Sequence, residues 1–225
     1  DSENKKQKAW KGRREGLKEL FSKEKWSYFG YTLTHPMDGF YWIRHKEYGS
    51  VPIAVLMVIL FSISFSLNRL CASFVVNETD PRSVNSLTEL AGVLALFLLV
   101  CVGNWSITCL MDGEGRFKDI IIAVGYGITP ATVGYVLATL LSRVIADNEQ
   151  AFYGLLIGIG IAYAVILVLM GIMQVHNYTL GKTLITLFLT FVAVLIIIFL
   201  ALLLFNLVSQ VITFFKSIYL ELIFR

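Results

Sequence analysis

The chain has 225 residues, 56% of them hydrophobic and only 16% charged, with a mean hydropathy of +0.71. Soluble domains carry roughly 25% charged residues, so this composition excludes a water-soluble globular core and points to a chain held in a lipid bilayer. The formal charge of +3 sits mostly at one end: of 19 Lys and Arg, eleven precede residue 50 (Lys5, Lys6, Lys8, Lys11, Arg13, Arg14, Lys18, Lys23, Lys25, Arg44, Lys46). That excess fits a membrane flank, and no nucleic-acid partner is expected.

The sequence opens on Asp1, and its first long apolar run begins only near Val51. No secretory signal is visible, and a longer parent chain is expected. Residues 1–25 form a basic amphipathic juxtamembrane segment in which Trp10, Leu17, Leu20, Phe21 and the adjoining Trp26 lie among Lys and Arg. Such a helix either lies on an anionic membrane surface or stands solvated ahead of the membrane. Residues 26–50 crowd Trp26, Tyr28, Phe29, Tyr31, Phe40, Tyr41, Trp42 and Tyr48 before the first span, and aromatic rings favour the headgroup region. Pro36 breaks any helix near His35, and Asp38-Gly39 marks a turn or a helix start. Two short interfacial helices hinged at His35-Pro36-Met37-Asp38-Gly39 are expected.

About 20 apolar residues cross a hydrocarbon core as a helix, and five runs qualify: 51–67, 87–110, 120–141, 152–173 and 184–207. Arg116, Lys118 and Lys182 join the N-terminal cations on one side, fourteen in all, whereas Arg69, Arg82, Arg143, Lys216 and Arg225 fall on the other. The bias places the N-terminus and the loops near 111–119 and 174–182 in the cytoplasm and the C-terminus outside.

Between the second and third spans, Asp112, Gly113, Glu114, Gly115, Arg116, Lys118 and Asp119 form a short loop. Gly113 and Gly115 are expected to permit its turn, Asp119 to cap the third span, and Arg116 and Lys118 to set topology. No EF-hand ligand spacing is present. Asn104, Trp105, Ser106 and Thr108 add polar groups to the second span, where they are expected to face other helices. Pro130 is expected to kink the third span, and Gly154 and Gly158 form a GxxxG pattern suited to close helix packing. No span carries Asp, Glu, Lys, Arg or His near its centre, which weighs against ion-coupled transport.

Cys71, Cys101 and Cys109 form no disulfide framework, and His35, His45 and His176 lack metal-ligand spacing. No metal or cofactor is expected. Neither G-x-S-x-G nor a P-loop appears, so no catalytic constellation anchors an enzyme reading. The last helix continues past its span with Asn206, Ser209, Gln210, Thr213, Lys216, Ser217 and Glu221 at helical spacing. Residues 208–225 therefore read as an outer amphipathic extension that lies on the membrane or docks on a partner. The fold class is all-α: a polytopic membrane protein with five transmembrane helices, interfacial N-terminal helices and a long C-terminal amphipathic helix.

At HPMDGFYWIRHKEYGS, NWSITCLMDGEGRFKD and HNYTLGKT the chain resembles the Yip domain family, named for Ypt/Rab-interacting proteins, and is most similar to its bacterial branch. The resemblance covers roughly residues 28–219 and makes residues 51–207 a five-helix Yip-like membrane domain. In eukaryotes the family implies early secretory proteins that engage Rab GTPases and act in vesicle traffic or membrane shaping. Bacterial relatives accompany carbohydrate ABC transporter components. The resemblance thus implies a noncatalytic accessory or scaffolding subunit in the plasma membrane, with the bilayer, ABC permeases or solute-binding proteins as partners. A membrane-shaping factor and a small transporter or channel are the alternatives. The partner or packing candidates are His35, Pro36, Asp38, Gly39, Asn104, Trp105, Asp112, Gly113, Glu114, Gly115, Lys118, Asp119, Pro130, Gly154, Gly158, Gln210 and Lys216.

Overall fold

A computed structural model describes residues 22–77 and 79–224. The basic segment around Trp10, Leu17, Leu20 and Phe21 lies outside the described residues. Those described form helices and loops: α1 Lys23–Thr34, α2 Pro36–Lys46, α3 Val51–Cys71, α4 Ser86–Leu110, α5 Phe117–Gly127, α6 Thr129–Leu141, α7 Gln150–His176 and α8 Leu180–Ile223, with short 3-10 turns before α4 and α7. Five helices, counting α5 and α6 as one, are long and apolar enough to cross a membrane.

Local chemistry sets the boundaries. The Ser22 hydroxyl accepts from the Lys25 amide and the Asn85 side chain from the Leu87 and Thr88 amides, opening α1 and α4. Pro36 takes the first position of α2, where its missing N–H costs nothing. In the third span the Pro130 ring crowds the carbonyl four residues back, and the helix breaks at Ile128 before restarting at Thr129.

The inner bundle is built from α3, α5, α6 and α7, with α4 against α3 and α5, and α8 against α4. Its core includes Ile53, Val58, Ile120, Tyr126 and Leu167. Small residues set the crossings: a Cβ on Gly125 would stand 2.7 Å from the Ala54 Cβ, and one on Gly160 would stand 3.0 Å from the Gly134 Cα. The expected packing role of Gly154 and Gly158 is corrected here. Both are exposed with nothing within 4 Å of an added Cβ, because the α7 face that meets α6 is the one carrying Gly160.

The N-terminal pair forms a hairpin that runs along the bundle as well as at its end. An added Cβ on Gly171 would stand 3.3 Å from the Phe40 ring, and the Tyr163 hydroxyl donates to the Leu33 carbonyl at 2.9 Å. Gly171 and Tyr163 lie about 8 and 20 Å from the end of α7 at His176. The hairpin tip therefore reaches about half the height of α7, with Phe29, Thr32, Phe40 and Ile43 buried.

At the opposite end the Asn68 side chain donates to the Thr139 hydroxyl and accepts from the Tyr153 hydroxyl, each at 2.8 Å, tying α3 to α6 and α7. Beside it Arg69 pairs with Glu89. The last helix is continuous for 44 residues, about 66 Å, roughly twice the hydrocarbon thickness. Its buried stripe of Thr183, Thr186, Thr190 and Val194 ends early, and from Ile198 onward every described residue except Ser209 is exposed. No Pro or Gly follows Gly181, so nothing in the sequence bends it.

Candidate functional site

Three connections converge at the hairpin end: the link from α2 to α3, the loop from α4 to α5, and the loop from α7 to α8. Each contains one non-glycine residue in the left-handed region, Glu47 (φ 54°), Asp112 (φ 53°) and Asn177 (φ 54°), and these three are the described non-glycine residues with positive φ. The short Asp and Asn side chains tolerate that conformation better than most, whereas Glu has no such preference.

The loop from α4 to α5 is pressed against the end of α7. The Gly115 amide donates to His176 Nδ1 at 3.1 Å, and the Tyr178 hydroxyl donates to the Met111 carbonyl at 3.0 Å. A Cβ on Gly113 would stand 2.6 Å from the Tyr178 hydroxyl oxygen, and one on Gly115 would stand 2.5 Å from a Val175 methyl. The two glycines thus serve close approach, while Asp112 makes the left-handed turn expected of them. Arg44 clasps the same loop through Glu114 at 2.5 Å and reaches the Val175 carbonyl at 3.4 Å.

A second knot lies beside it. Glu47 accepts from Arg116 at 2.6 Å and from Lys118 at 2.9 Å. The Arg116 Nε donates to Asp119 at 2.9 Å, and Asp119 also accepts from the Arg116 backbone amide at 3.3 Å. Asp119 therefore caps α5 from its third position, not from the cap itself. The Lys25 ammonium donates to the Glu47 carbonyl at 2.7 Å and to the Gly49 carbonyl at 3.3 Å. Below, the Ser50 amide donates to the Tyr126 hydroxyl at 3.0 Å, anchoring the start of α3 on α5. Lys118 and Arg116 draw the Glu47 carboxyl down to about 2, and Asp119 with Glu47 raises the Arg116 guanidinium above its ordinary value. A cleft of about 710 Å³ opens beside this knot, bordered by Lys25, Glu47, Gly49, Pro52, Lys118 and Asp119.

The structure unites most of the singled-out loop residues and disperses others. Gly39 is buried against Thr32, with its carbonyl accepting from the Tyr28 hydroxyl at 2.6 Å, whereas His35 and Asp38 face outward. Asn104 is buried and donates to the Thr190 hydroxyl at 3.1 Å. Trp105, though exposed over part of its surface, meets Phe117 at the start of α5 edge-on with ring centroids 5.8 Å apart, whereas Ser106 corrects the expectation of interhelical contact, for it is exposed and bonds back to the Val102 carbonyl. Pro130 stands at the break in the third span, and Gln210 and Lys216 stand exposed on distal α8. The sequence singles out neither Glu47 nor Tyr178, and offers Arg44 only as a topological cation and His176 only as a residue without metal-ligand spacing. The one signal available was their place inside RHKEYGS and HNYT, whose chain separation from 112–119 hid the contact. Among the described residues no group of three His, Cys, Asp or Glu side chains could hold a metal ion.

The fold and this end together define a polytopic helical membrane protein whose loop segments meet in one polar lattice. A family model for the Yip1 domain matches residues 30–214, and the chain belongs to the Yip1 domain family. An uncharacterized protein of Methanocaldococcus jannaschii is 24% identical over 128 residues, which is 52% of this chain and 90% of that protein. No solved structure matches.

Proposed function

We propose that this chain is a noncatalytic accessory or scaffolding subunit of a larger membrane assembly, set in the plasma membrane with its hairpin end in the cytoplasm. The observation that carries this reading is α8, whose distal half exposes a run of large apolar side chains such as Leu203, Phe205, Phe214 and Phe215 beside its polar stripe, beyond anything its own bundle covers. The lattice of paired charges adds a rigid platform at the other end, and the excess of Lys and Arg there supports the orientation. A carbohydrate ABC uptake complex is the assembly that the resemblance to bacterial relatives favours. Purification of the tagged chain in mild detergent should bring permease or solute-binding subunits with it. A clean monomer, with those subunits present in the same membranes, would sink the reading.

One observation favours a membrane-shaping role as the second reading. The α1–α2 hairpin occupies only one half of the bundle height and would widen one leaflet. Reconstitution into large vesicles decides it: tubulation supports the reading, and unchanged morphology removes it.

A further inference from the structure

The outward face of α2 carries Asp38, Tyr41, Trp42 and His45 at spacings of three and four residues, so they form one stripe down the helix. All four are exposed. The rings brace each other: Tyr41 stacks on His45 with centroids 4.0 Å apart, and Trp42 meets Tyr41 edge-on at 5.0 Å. Asp38 stands at the deep end. Phe40, two residues on, meets α7 at Gly171, which puts Asp38 about 10 Å inward from the end of α7. The 27 residues of α7 span about 40 Å against about 30 Å of hydrocarbon, so Asp38 lies at or inside the hydrocarbon boundary.

Among the described residues Asp38 has no ion pair. A carboxylate held at that depth and facing outward needs a partner. Among the described residues the spans of a second copy supply none at that depth, since every Lys and Arg there sits in a terminal turn or on distal α8. We infer that the α2 stripe is the docking edge for a transmembrane helix of a different polypeptide, one that places a Lys or Arg beside Asp38 and lays apolar residues across Tyr41 and Trp42. The chain's own Lys46 ammonium already stands over the Trp42 ring at 4.3 Å from its centroid, which leaves the Tyr41 edge of the stripe for the partner cation's aliphatic stem.

This inference rests on the accessory-subunit reading and adds to distal α8 a second face through which a partner binds. The test installs a photo-crosslinking amino acid at Tyr41 or at Met37, and at Phe199 on α8 as a control, in cells that also carry the uptake subunits. Crosslinks from α2 to a membrane-span peptide with Lys or Arg within one turn of the crosslinked residue are expected. In the unlabelled chain, Asp38→Lys should reduce the co-purified partner about tenfold or more, Asp38→Glu should retain it, and changing the partner's cation to Asp should restore binding to Asp38→Lys. Co-purification that survives Asp38→Lys, or crosslinks confined to α8, overturns the docking edge while leaving the accessory reading in place. Absence of any co-purified subunit removes both. Crosslinks from α2 to lipid, to residues 1–21 or to a second copy overturn the docking edge alone.

Discussion

At the scale of single residues, the glycines separate into two physical kinds, and the difference is measurable. Gly115→Ala drives a Cβ to 2.5 Å from Val175 and 2.7 Å from the His176 ring, so it should cost about 1–3 kcal/mol, seen as a lower unfolding midpoint in detergent. Gly154→Ala adds a methyl to open space in mid-helix and should stabilise by up to about 1 kcal/mol. Glu47 provides a second measurement. Its folded value lies below its ordinary value of 4.5, at about 2, so its contribution is complete above the ordinary value and is lost as pH falls through about 2. Glu47→Gln should therefore speed amide exchange in residues 111–118 at neutral pH, and the difference from the parent chain should close only in strong acid. A difference already gone at pH 4 would show that Glu47 is not held by Lys118 and Arg116.

Among the elements, the third span carries the sharpest contrast between sequence and structure. Pro130 gave notice of a kink, but the break falls at Ile128, where a Cβ on the neighbouring Gly127 would stand 2.6 Å from Val168. Packing against α7 therefore holds the break as firmly as the proline does. Gly160→Val, which pushes side-chain atoms into the Pro130 carbonyl and Gly134, should lower thermal stability by about 2 kcal/mol or more, whereas Pro130→Ala should shift it less. A larger loss from Pro130→Ala would reverse that ranking. Hydropathy located four spans and the start of the fifth to within a few residues, because crossing hydrocarbon constrains length and polarity directly, while the fifth helix runs on to Ile223. It could not show which face of a helix meets another: Gly154 and Gly158 match a packing pattern that Gly160 fulfils. Nor could it pair Arg44 with Glu114 or Glu47 with Arg116, since charge partners about 70 residues apart leave no periodic trace.

For the whole molecule, the chain divides into a bundle that holds itself together and an extension that does not take part. Residues beyond Ile198 contribute no buried side chain to the core, so a chain ending at Leu207 should keep the unfolding midpoint of the full one. Its co-purified subunits should fall away if α8 is the contact that the accessory reading requires. A large drop in midpoint would instead make distal α8 part of the fold. The fold class, the spans and the family were open to reading from composition, periodicity and motif order. The lattice was not, because it exists only once three separate connections are brought to one end.

The lattice also imposes an order on biosynthesis. The hairpin emerges before the five spans, yet the groups that clasp Arg44 and Glu47 lie at residues 114–118, and the Val175 carbonyl that Arg44 reaches comes 131 residues after it. At about 5–20 residues per second, the ribosome leaves the hairpin unlatched for several seconds while four spans enter the membrane. During that interval its aromatic and acidic surfaces are open to whatever the insertion machinery or a waiting subunit presents.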